Sequence, residues 1–140
     1  MASAQEGGGH DGPAELIGLE TLEIGDGEAR GRLSVDDRHR QVAGIVHGGI
    51  YSMIAETLSS AATNAAVRDQ GMVAMGQANN ATFLRPIAGG YVNASARALH
   101  RGRTTWVWDV ELADDEGRVA ALVRTTVAVR PPPITRGSGS

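Results

Sequence analysis

A chain of 140 residues with 41% hydrophobic residues is sized and composed as one globular domain with one core. It has no cysteine, which excludes disulfides, thiolate metal sites and a cysteine nucleophile. A net charge of −3 with 4% aromatic residues argues against a nucleic-acid partner, which needs a basic face and stacking rings.

No apolar run approaches the roughly 20 residues that span a bilayer, so no membrane partner is expected. The N-terminus is Gly-rich and acidic with no hydrophobic signal core, and a cytoplasmic protein is expected. The charge is uneven: residues 1–80 sum to −6 and residues 81–140 to +3. All basic side chains apart from histidine are arginines, a usage that a GC-rich genome explains.

In chain order, residues 1–13 are polar and Gly-rich and are expected to be disordered. Leu16 to Ile24 and Glu28 to Val35 read as a hairpin around Gly25-Asp26-Gly27. Gly48 to Arg68 reads as one helix of about five turns. Val73 to Leu84 reads as extended, ended by Arg85-Pro86. Tyr91 to His100 alternates, with Val92, Ala94, Ala96 and Ala98 on one face. Thr104 to Leu112 alternates through Trp106, Trp108, Val110 and Leu112, and Arg118 to Val129 is the last strand. The expected domain covers 14–131, and 132–140 reads as a flexible tail. One long helix with five or six mostly antiparallel strands is an α+β pattern, with the sheet laid around the helix.

Projected at 100° per residue, the helix has two faces. Ile50, Met53, Ile54, Leu58, Ala61 and Ala65 are expected to bury against the sheet. Gly49, Ser52, Glu56, Ser59, Ser60 and Thr63 form a face of small residues that lets a second backbone approach, most simply the same helix of a second subunit. Glu56 is the only Asp, Glu, Lys or Arg between Gln41 and Val67. A lone carboxylate on a face expected to be covered needs a structural partner or a chemical task.

His47-Gly48-Gly49 lies at the helix start, where backbone N–H groups lack intrahelical partners and the dipole is positive. Glycines there let a carbonyl oxygen that becomes an oxyanion approach the backbone. Gly48 and Glu56 are eight residues apart, roughly 12 Å along the axis. One reacting carbon cannot touch both in one chain, because near-attack contacts are about 3–3.5 Å. If both serve one reaction, they come from two subunits, and a dimer holds two shared sites.

Gly44-Ile-Val-His-Gly-Gly-Ile-Tyr with Ala55-Glu56 resembles the helix motif of the hotdog-fold acyl-CoA thioesterases. The resemblance continues through Gly76-Gln-Ala-Asn-Asn-Ala-Thr-Phe-Leu-Arg-Pro, His100-Arg-Gly-Arg-Thr-Thr-Trp-Val-Trp-Asp-Val and Thr126-Val-Ala-Val-Arg-Pro, and covers roughly residues 16–131. It looks closest to the Arthrobacter-type 4-hydroxybenzoyl-CoA thioesterases and the phenylacetate-pathway thioesterases. It implies a hotdog fold, a homodimer with a continuous sheet and usually a dimer of dimers. It implies neither metal nor bound cofactor, with coenzyme A part of the substrate.

Residue by residue, the resemblance makes Glu56 the catalytic nucleophile or general base. Gly48 becomes the N–H that polarises the thioester carbonyl, Gln41 a positioning group, and Ser60 a hydroxyl at a position that is Thr in close relatives. For coenzyme A it implies Arg85 at a phosphate and Thr104 at the nucleotide. Arg103 stands where relatives carry Ser, and Arg130 is a further phosphate candidate. Ala61 stands where the hydroxybenzoyl branch carries an acidic residue. His47 is a candidate base, with a structural role at the turn as the other reading. Arg97, Arg101 and Arg103 share strand parity and could form a basic strip. The expected reaction is hydrolysis of an aromatic or medium-sized acyl-CoA. The alternatives are a hotdog acyl dehydratase or hydratase, which places its catalytic His and acid in a different motif, and a non-catalytic acyl-CoA-binding module, which would tolerate loss of Glu56.

Overall fold

The computed structural model describes residues 12–134. The disorder expected over 1–13 and the tail over 132–140 fall largely outside the described residues. Within them, a helical turn α1 (Pro13–Leu16) opens the chain. Proline at the first helical position fits, because its missing N–H would have no partner there. The first strand therefore starts later than Leu16: β1 is Glu20–Gly25, paired with β2 (Glu28–Ser34). The left-handed Gly27 (φ 71°) makes the tight turn between them.

The long helix α2 runs from Gly48 to Val67 and ends in a 3-10 turn, Arg68–Gln70. Then come β3 (Val73–Phe83), β4 (Tyr91–Arg101), β5 (Thr105–Ala113) and β6 (Val119–Arg130). The six strands form one sheet in the order β1-β2-β4-β5-β6-β3, with every pairing antiparallel. The sheet lays its apolar face on α2, which is the hotdog architecture the resemblance implies. Val92, Ala94 and Ala96 on β4 and Trp106, Trp108, Val110 and Leu112 on β5 face the helix and are buried, as their alternation predicts.

The helix is rotated from its expected setting. Ile50, Ile54 and Leu58 are buried as expected, together with Tyr51, Ala55, Ser59, Ala62, Thr63 and Val67, whereas Met53 and Ala65 are half-buried and Ala61 is exposed. Ser59 and Thr63 thus face the sheet, not a partner. The sheet satisfies their hydroxyls, which removes the cost of burying them. The Trp108 indole N–H donates to Thr63 Oγ1 at 2.9 Å, and Thr63 Oγ1 donates to the Ser59 carbonyl at 2.7 Å. Thr125 Oγ1 donates to Ser59 Oγ at 2.9 Å, and Ser59 Oγ donates to the Ala55 carbonyl at 2.8 Å. A hydrophobicity projection counts serine and threonine as polar and turns them outward. The hydrogen-bond ladder turns them in.

The expected parity of Arg97 and Arg101 also fails. The register of β4 on β5 shifts between Ala98 and His100. Arg97 lies opposite Asp109 on the outer face, while Arg101 lies opposite Trp106. The Arg101 guanidinium sits over the Trp106 ring, 5.5 Å from its centroid, and pairs with Asp26 at 2.7 Å. The bulged residue, Leu99, breaks the two-residue period on which a basic strip would depend.

Among the described residues, no helix is long and apolar enough to cross a membrane.

Candidate active site

The segment before α2 folds into a tight turn. Arg40 bridges Val46, the Gln41 N–H donates to the Ile45 carbonyl at 2.8 Å, and the Gly44 N–H donates to the Gln41 carbonyl at 2.9 Å. Gly44 is left-handed (φ 82°), which explains glycine at the turn. Gln41 Oε1 accepts from the Ala43 N–H, so the half-buried side chain folds onto its own turn. Two further bonds hold the exit from the turn: Val46 N–H to the Ile87 carbonyl and His47 N–H to the His39 carbonyl, both 2.8 Å.

His47 caps α2. Its Nδ1 accepts the Gly49 N–H at 2.8 Å, and its carbonyl accepts the Ile50 N–H at 2.9 Å. In the neutral ring this leaves the proton on Nε2, a hydrogen-bond donor rather than a free base. Among the described residues, nothing accepts from the Gly48 N–H. That N–H is one of the orphan donors at the positive end of a 20-residue helix. The Phe83 ring packs on Gly48: a Cβ there would lie 2.5 to 3.0 Å from three ring atoms, so no larger residue fits without moving the ring.

Glu56 lies eight residues further along an unbroken helix and is exposed in the single chain. No described side chain forms an ion pair with it. Its carboxylate rests against Gly76 of β3, where a Cβ would meet Cδ at 3.0 Å and Oε1 at 3.1 Å. Asn79, also on β3, donates to the Ser52 carbonyl at 2.9 Å, one turn before Glu56. Ser60, one turn beyond Glu56, is half-buried.

The sequence patterns assign Gly76 and Asn79 no role, although both leave a signal. Glycine inside a strand marks a close approach or a bulge, and β3 does shift register between Gly76 and Ala78. Paired asparagines in a strand run against β-propensity.

The residues implied for coenzyme A divide into two groups. Arg103 and Thr104 sit exposed in the β4–β5 turn. Arg130 reaches that turn and donates to the Thr104 carbonyl at 2.7 Å and to its neighbour's, Val129, at 2.9 Å. Arg85 lies beyond the other end of the sheet. Val73 is opposite Arg130 and Phe83 is opposite Ala121. Ten residues of β3, about 33 Å, separate those ends. One chain does not bring Arg85 to the other three.

Against known families, the Thioesterase superfamily model matches residues 43–121. A 1,4-dihydroxy-2-naphthoyl-CoA hydrolase of Listeria monocytogenes is 31% identical over 119 residues, 85% of this chain and 96% of the relative. A mutant thioesterase of Pseudomonas aeruginosa superposes with a TM-score of 0.81 at 36% identity, covering 85% of this chain and 86% of that one. A thioesterase of Staphylococcus aureus superposes with a TM-score of 0.81 at 27% identity, covering 84% of this chain and 98% of that one. The Staphylococcus protein has been crystallised as a Gln-to-Ala variant and as a Glu-to-Ala variant, at positions fifteen residues apart. Gln41 and Glu56 have the same spacing.

Proposed function

The chain belongs to the thioesterase superfamily and is a thioester hydrolase, and from that premise we propose that it cleaves an aromatic or medium-sized acyl-CoA in a site shared by two subunits. The observation that carries this reading is the placement of Glu56 and Gly48 along β3. Glu56 touches Gly76, near the start of the strand, and the unbonded Gly48 N–H lies by Phe83, at its end. β3 is an edge strand: among the described residues its one strand neighbour is β6. A second copy adding antiparallel through its own β3, about a two-fold axis near Asn79-Asn80, brings the Gly76 end of one strand to the Phe83 end of the other. Glu56 then meets Gly48 of the partner subunit. The same axis sets Arg85 of the partner subunit near Val73, whose cross-strand neighbour is Arg130. One operation thus joins both halves of the reaction and both halves of the coenzyme A group.

In the chemistry this supports, the thioester carbonyl oxygen takes the Gly48 N–H, which strengthens as negative charge develops on it. Glu56 either attacks the carbonyl carbon, expelling the coenzyme A thiolate and leaving a mixed anhydride for water to open, or takes a proton from the attacking water. Gln41, at the turn before the helix, orients the thioester or the water. His47 holds the helix start through its cap on Gly49, and Ser60 lies one turn beyond the carboxylate. The naphthoyl-CoA substrate in the name of the Listeria relative supports an aromatic acyl group. No metal and no bound cofactor enters this scheme.

The test is free-thiol release from a panel of acyl-CoAs. Glu56→Ala should lose at least about 100-fold in kcat, as expected for a group acting directly on the reacting atoms. Undiminished turnover sinks the mechanism. Mixing inactive Glu56→Ala and Gly48→Pro chains should restore activity in heterodimers, and failure to do so while mixed dimers form refutes the shared site.

A further inference from the structure

The turn α1 forms one side of an open cleft beside Glu56. The space between α1 and α2, about 720 Å3, is lined by Pro13, Ala14, Met53, Glu56, Thr57 and Asn79 among its walls. That volume lies within the range of small-molecule sites, about 300–1,000 Å3. α1 does not hold itself there. It has four residues, buries none of them and leaves Leu16 65% exposed, so the core gains little from it.

Two side chains from the turn before Gln41 pin it instead. Arg38 donates to the Leu16 carbonyl at 2.5 Å. His39, fully buried, places Nε2 2.7 Å from the Ile17 carbonyl while its Nδ1 accepts the Asp36 N–H at 2.9 Å. With Nδ1 accepting, Nε2–H is the donor to the Ile17 carbonyl. The His39 carbonyl also accepts the His47 N–H, so one residue fixes both α1 and the start of α2. The family match begins at residue 43, so the α2 side of the cleft belongs to the matched stretch and the α1 side does not.

We propose that α1 is the specificity wall of the acyl site. The acyl group lies between Pro13-Ala14 and Met53-Thr57, and the size of residue 14 sets the largest acyl group accepted. This rests on the reading of Glu56 as the catalytic carboxylate. The chemistry of the cleft fits a flat apolar group: a proline ring and an alanine methyl on one side, and on the other a methionine, whose thioether packs well on aromatic faces.

The experiment measures thiol release from acetyl-CoA, benzoyl-CoA and naphthoyl-CoA by the native chain, Ala14→Trp and Arg38→Met. For Ala14→Trp, kcat/KM on naphthoyl-CoA should fall by at least about tenfold, while that on acetyl-CoA changes less than about twofold. Arg38→Met, which frees the Leu16 carbonyl, should narrow the native preference among the three substrates while circular dichroism stays unchanged. A native protein that hydrolyses the panel, with Ala14→Trp leaving the substrate ratios unaltered, overturns the wall alone. If the ratios are unaltered but the sedimentation mass changes, α1 is a subunit contact and the proposal fails. A native protein inactive on all three overturns the thioesterase reading beneath it.

Discussion

Gly76→Ala isolates the placement of the Glu56 carboxylate from its chemistry. A methyl at Gly76 would stand 3.0 Å from Glu56 Cδ, 3.1 Å from Oε1 and 3.2 Å from Cγ, where ordinary contacts begin at 3.4 Å. Glu56 is exposed and can yield, so its carboxylate moves by about 0.4–1 Å and the fold does not. A misplacement of about 1 Å costs on the order of 100-fold in rate, so the expected loss in kcat is about 10- to 100-fold, with KM within about twofold. Stability should move the other way. Gly76 is not among the positive-φ glycines, so alanine suits its backbone and stiffens the unfolded chain, a gain of about 0.4–1 kcal/mol. The assay pairs steady-state thiol release with urea unfolding. Full activity in a folded Gly76→Ala protein would refute the reasoning, because the reacting carboxylate could not then be the one resting on Gly76. In a Glu56→Ala background the same substitution should change nothing further in rate.

Two other outcomes follow from the ladder beneath α2 and from the β5–β6 turn. Thr63→Val keeps the side-chain shape but strands the buried Trp108 indole N–H. It should cost about 1–3 kcal/mol in urea unfolding, and Trp108→Phe added to it should cost less than it does alone. The Asp114 carboxylate is held below its usual value of 3.8, first by the Arg118 backbone N–H and then by the Arg118 side chain and the Glu116 N–H, against an opposing desolvation. A depressed folded value means that its stabilisation is complete above the unfolded value and is lost as pH falls through the lower folded one. Asp114→Asn should therefore unfold at lower urea than the native chain at neutral pH, and the gap should close in acid below 3.8.

The order of the elements was legible in the residues. The helix expected over Gly48 to Arg68 runs from Gly48 to Val67, and the two-residue period of β4 and β5 puts Val92, Ala94, Ala96, Trp106, Trp108, Val110 and Leu112 on the buried side, where they lie. Glu56 stands out with no structure at all, as the one carboxylate in a stretch free of other Asp, Glu, Lys and Arg. These readings rest on local periodicity, which the backbone geometry of helix and strand imposes wherever the residues lie. They end where a side chain's surroundings come from distant residues. Ser59 and Thr63 turn inward because Trp108 and Thr125 meet their hydroxyls. Arg101 falls opposite Trp106 because one residue of β4 bulges. Glu56 gains Gly76 as its floor and α1 as its neighbour only when strand and turn close around the helix, and Arg85 parts from Arg130 only when β3 takes its place at the sheet edge. The sequence singled out Glu56 as the carboxylate to test. The tertiary structure decided what stands beside it, because hydrogen-bond satisfaction and close contact belong to pairs of residues far apart in the chain.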